Sequence, residues 1–157
     1  KLPIEKVMPE NFPDLVSHEM KMMCFPNCRV LLVEDNALNQ KVVRMLLESI
    51  DCSVDVVSDG KEALRFVDQC DYDIIFMDIG LREMDGITIA KKLRTKHSKR
   101  VLPIVGLTAH VMESDIRRCY EVDMNDVLTK PVILEDISQV LMLWCRHRAQ
   151  EHVEPVN

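Results

Sequence analysis

Five short apolar runs, each followed by a stretch in which apolar residues recur every three or four positions, divide most of the chain. The runs fall at 29–33, 54–57, 73–77, 103–107 and 126–128. Val30-Leu31-Leu32-Val33 and Ile74-Ile75-Phe76-Met77 are not interrupted by any polar residue. Strands of that kind are covered on both faces, as in a parallel sheet. The intervening stripes predict five helices. Asn36 is placed to cap the first, which runs to about Ile50 with Val43, Leu46, Leu47 and Ile50 on one face. The others are expected at 61–70 (Ala63, Leu64, Val67), 86–97 (Ile89, Ala90, Leu93), 113–122 (Ile116, Cys119, Tyr120) and 133–148 (Ile137, Val140, Leu141, Trp144). Such alternation predicts an α/β fold with helices on both faces of a five-stranded parallel sheet.

The ends of the chain read differently. Residues 1–28 hold Pro3, Pro9, Pro13 and Pro26 and no sustained period, which predicts a linker. Leu15, Val16, Met20, Met22 and Met23 give the competing expectation of a short amphipathic helix. The folded domain is expected over 29–149, and the polar residues 150–157 form a frayed tail. The first residue is Lys and not Met, so the chain is expected to be a piece of a longer protein.

Composition narrows the class. A length of 157 residues with 47% apolar residues fits one cored domain. A net charge of −6 argues against direct nucleic-acid binding, which needs basic surface to displace counterions. No apolar run approaches the ~20 residues of a membrane helix, and the start lacks a signal peptide's apolar centre. Cys24, Cys28, Cys52, Cys70, Cys119 and Cys145 form no CxxC pair, so they are expected to be reduced thiols that fill the core. That usage fits a reducing, cytoplasmic setting and leaves membrane anchorage of a parent protein open.

The candidate chemistry lies where the runs stop. Asp78 ends the third, Glu34 and Asp35 end the first, Thr108 the fourth, and Lys130, followed by Pro131, the fifth. Open parallel sheets bind ligands beyond the carboxyl ends of their strands. Carboxylates gathered there repel unless a proton or a cation intervenes. Mg²⁺ (or Mn²⁺) suits such oxygens. Asp35 and Asp78 are expected to supply direct ligands, Glu34 to act through water, and the Gly80 backbone carbonyl to add another. Asp78 is then a nucleophile for a phosphoryl group, with Lys130 and Thr108 contacting its oxygens. A cis Lys130–Pro131 bond is expected to aim Lys130 back at the site. Singly, each residue has a plainer reading: a helix-capping acid pair, a strand-end hydroxyl bonded to backbone, a solvated lysine. Their concurrence at four strand ends favours one site.

VLLVEDNALNQKV (30–42), DGKEAL (59–64), YDIIFMDIGLREMDG (72–86), PIVGLTAHV (103–111) and MNDVLTKPV (124–132) together resemble the receiver domain of two-component signalling. The resemblance implies a flavodoxin-like (βα)5 three-layer sandwich with strand order 2-1-3-4-5. It implies Asp78 as phosphoacceptor, Glu34 and Asp35 as the acidic metal pair, Thr108 as the switch hydroxyl and Lys130 as the phosphate-contacting lysine. The wording VEDNALNQ and LTAHV is similar to receivers attached to hybrid sensor histidine kinases. Partners implied are a histidine kinase, a histidine phosphotransfer protein, or both, with a weak dimer also allowed. Three positions depart from the family pattern. Leu81-Arg82 stands for Met-Pro and is expected to loosen the loop and add a cation. Val127 stands for an aromatic residue and is expected to rule out a ring-rotation switch. Asp123 stands for Gly at a helix end, where a left-handed backbone is tolerable at some cost. Gly80 leaves access to the phosphoacceptor open, and His110 is expected to point to solvent.

Two rival functions remain at this stage. A phosphorylation-independent pseudo-receiver would serve as a docking module whatever stands at position 78. A metal-dependent phosphatase with an aspartyl nucleophile wants a second acid where Gly80 lies. A dinucleotide-binding reading fails for lack of GxGxxG.

Overall fold

The structure, a computed structural model, describes residues 24–145. The helix weighed over residues 15–23, the tail at 150–157 and residues 146–148 of the expected last helix lie outside the described residues. The elements are β1 Arg29–Val33, α1 Ala37–Ser49, β2 Ser53–Val57, α2 Gly60–Gln69, β3 Ile74–Asp78, α3 Gly86–Arg94, β4 Ile104–Thr108, α4 Glu113–Glu121, β5 Asp126–Thr129 and α5 Leu134–Trp144. All strand pairs are parallel, in the order β2-β1-β3-β4-β5, as the resemblance implied.

Unbroken apolar runs place β1, β3 and β4 in the centre, where both faces are covered. On one face Val43 and Leu47 of α1 and Ile137, Val140 and Leu141 of α5 pack against Leu32 and Phe76. On the other, Ala63 and Val67 of α2, Ile89, Ala90 and Leu93 of α3 and Cys119 of α4 pack against Leu31, Ile75 and Met77. The two sheet edges, β2 and β5, are only partly covered and carry Asp55 and Asp126.

The helices start where short polar side chains can answer exposed N–H groups. Asn36, Asp59 and Asp85 accept from the N–H of Asn39, Glu62 and Thr88 at the starts of α1, α2 and α3. α1 and α4 end alike. Asp51 and Asp123 take left-handed backbone, at φ 68° and 61°. In each case the next N–H, of Cys52 or Met124, bonds back to the carbonyl of Leu47 or Cys119. Asp123 therefore does what glycine usually does at such a stop.

Several element ends shift by a residue from expectation, and two further differences have a visible physical reason. Phe25 and Cys28 are 1% and 0% exposed, and the Phe25 N–H donates to the Ile50 carbonyl, so the packed domain starts before residue 29. α3 stops at Arg94 and not His97, because its guanidinium turns back onto the carbonyls of His97, Ser98 and Leu102.

Candidate active site

Strand register decides which side chains meet. Val33 pairs with Met77, so Glu34 and Asp78 leave the sheet side by side. Thr108 pairs with Thr129, which brings Lys130 to the same rim, and the Lys130–Pro131 bond is cis. Together these residues line a cleft of about 410 Å³ between the strand ends and the loops before α1, α3 and α4. Gly86 packs tightly behind the Asp78 backbone. A Cβ there would strike the Asp78 carbonyl oxygen and lie 2.8 Å from the Ile79 Cα, so no larger residue fits without moving the backbone.

Glu34, Asp35 and Asp78 each offer one carboxylate oxygen, and these atoms lie within 4.8 Å of one another. Lys130 Nζ sits between two of them, 2.9 Å from Glu34 Oε2 and 3.1 Å from Asp78 Oδ1. Each carboxylate also accepts a backbone N–H: Asn36 to Glu34 at 3.1 Å, Gly80 to Asp78 at 2.9 Å, and Arg82 to Asp35 at 3.2 Å. These donors do not cancel the charge. With all three acids ionised, the Lys130 ammonium offsets one of three negative charges at a largely buried rim. Burial pushes the Glu34 carboxyl above its usual range, and the Asp78 charge adds to this against the opposing pull of Lys130 and the Asn36 N–H. For Lys130, burial alone would lower the ammonium's pKa. The bond to Glu34 and the charge of Asp78 outweigh it and hold the pKa above its ordinary value.

The donor set is all oxygen and anionic, and Glu34 Oε2 has no aligned hydrogen bond beyond its ion pair. Such a set fits a hard divalent cation such as Mg²⁺. The Arg82 guanidinium lies 4.0 Å from Asp35 Oδ2, but its side chain is 92% exposed, so water screens it. Arg82 does more through its backbone. A proline there could not donate the N–H that ties the loop to Asp35, so this departure fastens the loop where loosening was expected.

Glu34, Asp35, Asp78 and Lys130 thus converge as the sequence predicted. Thr108 lines the same cleft, but its hydroxyl serves its own loop, donating to the His110 carbonyl at 2.9 Å and accepting the His110 N–H at 3.2 Å. His110 is exposed, as expected. Arg118 of α4 went unnoticed in the sequence. It lines the cleft and reaches Asp85 at 3.8 Å and Asp115 at 3.9 Å. Only the three-residue spacing to Asp115 could have hinted at it.

Residues 30–142 match the family model described as the response regulator receiver domain. The chain is 31% identical over 156 residues to hybrid signal transduction histidine kinase K of Dictyostelium discoideum, covering 94% of this chain and 13% of that one. The curated relatives it matches are long, and the chain spans 7% to 19% of their length. Among solved structures, it is 36% identical to the receiver domain of a sensor histidine kinase from Pseudomonas aeruginosa PAO1, which holds a magnesium ion coordinated in its active site cleft (TM-score 0.68, 74% of this chain, 96% of that). It is 32% identical to a receiver domain of Saccharomyces cerevisiae co-crystallised with a histidine phosphotransfer protein (TM-score 0.71, 80% of this chain, 93% of that).

Proposed function

The chain belongs to the response regulator receiver domain family of two-component signalling, and on that premise we propose that it is a working phosphoacceptor whose nucleophile is Asp78. One observation carries the reading: three carboxylates, two of them buried, bring oxygens within 4.8 Å of one another, and the one ammonium among them reaches only Glu34 and Asp78. A structural ion pair does not need the surplus acids. A site that must collect a cation and a phosphoryl group does.

Asp35, Asp78, Glu34 and the Gly80 carbonyl would hold Mg²⁺ (or Mn²⁺), which supplies charge compensation for an incoming phosphoryl group. Asp78 is pre-aligned by the Gly80 N–H on Oδ1. A carboxylate oxygen of Asp78 attacks phosphorus in line with the donor, the new O–P bond forms as the donor's P–N bond breaks, and the released imidazole takes a proton. Lys130 is placed to follow the negative charge from the carboxylate to a phosphoryl oxygen. Thr108 reaches the new oxygens only by giving up its two bonds with His110, which makes the 108–110 loop the segment that moves. The donor is proposed to be a phosphohistidine of a histidine kinase or a histidine phosphotransfer protein. The receiver co-crystallised with a phosphotransfer protein supports this.

Acetyl phosphate with Mg²⁺ should add one phosphate to the chain, seen by intact mass, and Asp78→Asn should abolish it. Uptake that survives Asp78→Asn would defeat the assignment. No uptake at all, with partner binding indifferent to position 78, would favour the docking reading.

A further inference from the structure

Opposite the acidic cleft, the amino ends of the strands gather four cysteines. Cys24 and Cys28 precede β1, Cys52 precedes β2, and Cys145 caps the end of α5. Cys28 and Cys145 are 0% exposed. Their sulfurs lie 3.6 Å apart although 117 residues separate them in the chain. Cys52 is a second thiol neighbour of Cys28, which with burial pushes the Cys52 thiol's pKa up. The thiols do not form a metal bowl. Among the described residues, the group of three potential ligands whose donor atoms converge within 4.8 Å is the acidic one. Thiols that do not converge on one point are left with pairwise chemistry.

We propose that Cys28 and Cys145 are an oxidisable pair, a disulfide site that fastens the end of α5 to the lead-in of β1. Closing the bond requires the sulfurs to approach by roughly 1.5 Å, from 3.6 Å to the ~2.05 Å of a disulfide. Cys145 is the C-cap just past α5, where helix ends loosen most easily, so the last turn can deliver that movement. The oxidant class is a peroxide. One sulfur attacks the O–O bond, becomes a sulfenic acid and releases water. The second thiol attacks that sulfur, the S–S bond forms, and a second water leaves with the thiol's proton. Two thiols and one hydrogen peroxide thus give one disulfide and two waters. The pair is slow while closed, because hydrogen bonding to Cys28 and burial keep the Cys145 thiol protonated, and the thiolate is the reacting form. Opening of the last turn of α5 therefore sets the rate. The bond encloses nearly the whole domain and restricts the unfolded chain accordingly.

The test treats the reduced full chain with hydrogen peroxide and maps its peptides without reduction. The expected product has lost two hydrogens, links the Cys28 and Cys145 peptides, melts several degrees higher and reverts with dithiothreitol. Cys28→Ser and Cys145→Ser each prevent the link, and Cys70→Ser leaves it intact. A map of the wild-type chain decides the matter even where a variant folds poorly. A Cys28–Cys52 link, links between chains, or prolonged peroxide exposure that oxidises Cys24 and Cys70 while both named thiols stay alkylatable would each overturn the proposal.

Discussion

At the carboxyl ends of the strands, three carboxylates crowd together and one ammonium bridges two of them; at the amino ends of β4 and β5, a single guanidinium is shared by five acceptors. Arg94 donates to the carbonyls of Asp123 (2.8 Å), His97 (3.2 Å), Ser98 (3.3 Å) and Leu102 (2.8 Å), and to Asn125 Oδ1 (2.9 Å). Asn125 in turn accepts the Ile104 N–H and donates to the Lys99 carbonyl. One rim leaves charge unbalanced and open to a cleft, whereas the other matches donors to acceptors in a shell of turns. The sheet thus keeps its binding chemistry and its fastening chemistry a strand's length apart. The two rims should respond to mutation with opposite sign.

The largest effect is expected at the fastened rim. Arg94→Ala strands several carbonyls and Asn125 Oδ1, and should cost about 3 kcal/mol in urea unfolding. A loss below about 1 kcal/mol would mean that water replaces the guanidinium at little cost. At the opposite rim, Glu34→Gln should raise stability by about 1 kcal/mol at pH 7 without Mg²⁺, because it removes one of three crowded charges. The pH profile tests the cause. The Glu34 pKa is raised in the fold, so the unfolded chain loses this proton first. Wild-type stability should fall as pH rises from the ordinary glutamate value near ~4.3 through the raised one. The Gln variant lacks that fall, so the gap between the two proteins should widen with pH and then level off. Added Mg²⁺ should stabilise the wild type more than the variant, and an equal response would remove Glu34 from the metal site.

Smaller effects sharpen the picture. Asp123→Gly relieves a left-handed backbone and keeps the carbonyl that Arg94 binds, though it removes a carboxylate charge near that guanidinium, and should raise stability by about 0.5–1 kcal/mol in thermal unfolding. Arg82→Ala keeps the N–H on Asp35 but removes a screened cation. It should tighten Mg²⁺ binding only about twofold by calorimetry, since exposed charges couple weakly. A tenfold change would mean that the guanidinium occupies the metal's place.

The sequence made the strands legible because buried parallel strands are apolar on both parities, and β1 fell at its expected residues. The acidic trio and Lys130 were legible for a related reason: each follows an apolar run, and the topology of parallel sheets puts all such exits on one rim. What stayed hidden has no local signature. Arg94 looked like one more cation in the basic stretch 91–100, and its acceptors come from two separate connections, α3 to β4 and α4 to β5. Thr108 was placed correctly, but its bonds with His110 depend on how the following loop folds back. The contact between Cys28 and Cys145 spans almost the whole domain, and no spacing announces it.

The borders of the sheet have a consequence of their own. Among the described residues, β2 and β5 each pair with a strand on one side only, and each bears an aspartate near its middle or start, Asp55 and Asp126. Asp55 is held by the Tyr72 hydroxyl at 2.6 Å, and Asp126 folds onto the Val127 N–H. A sixth strand annealing to either border would have to dehydrate a carboxylate, which discourages fibrous stacking when many copies crowd together.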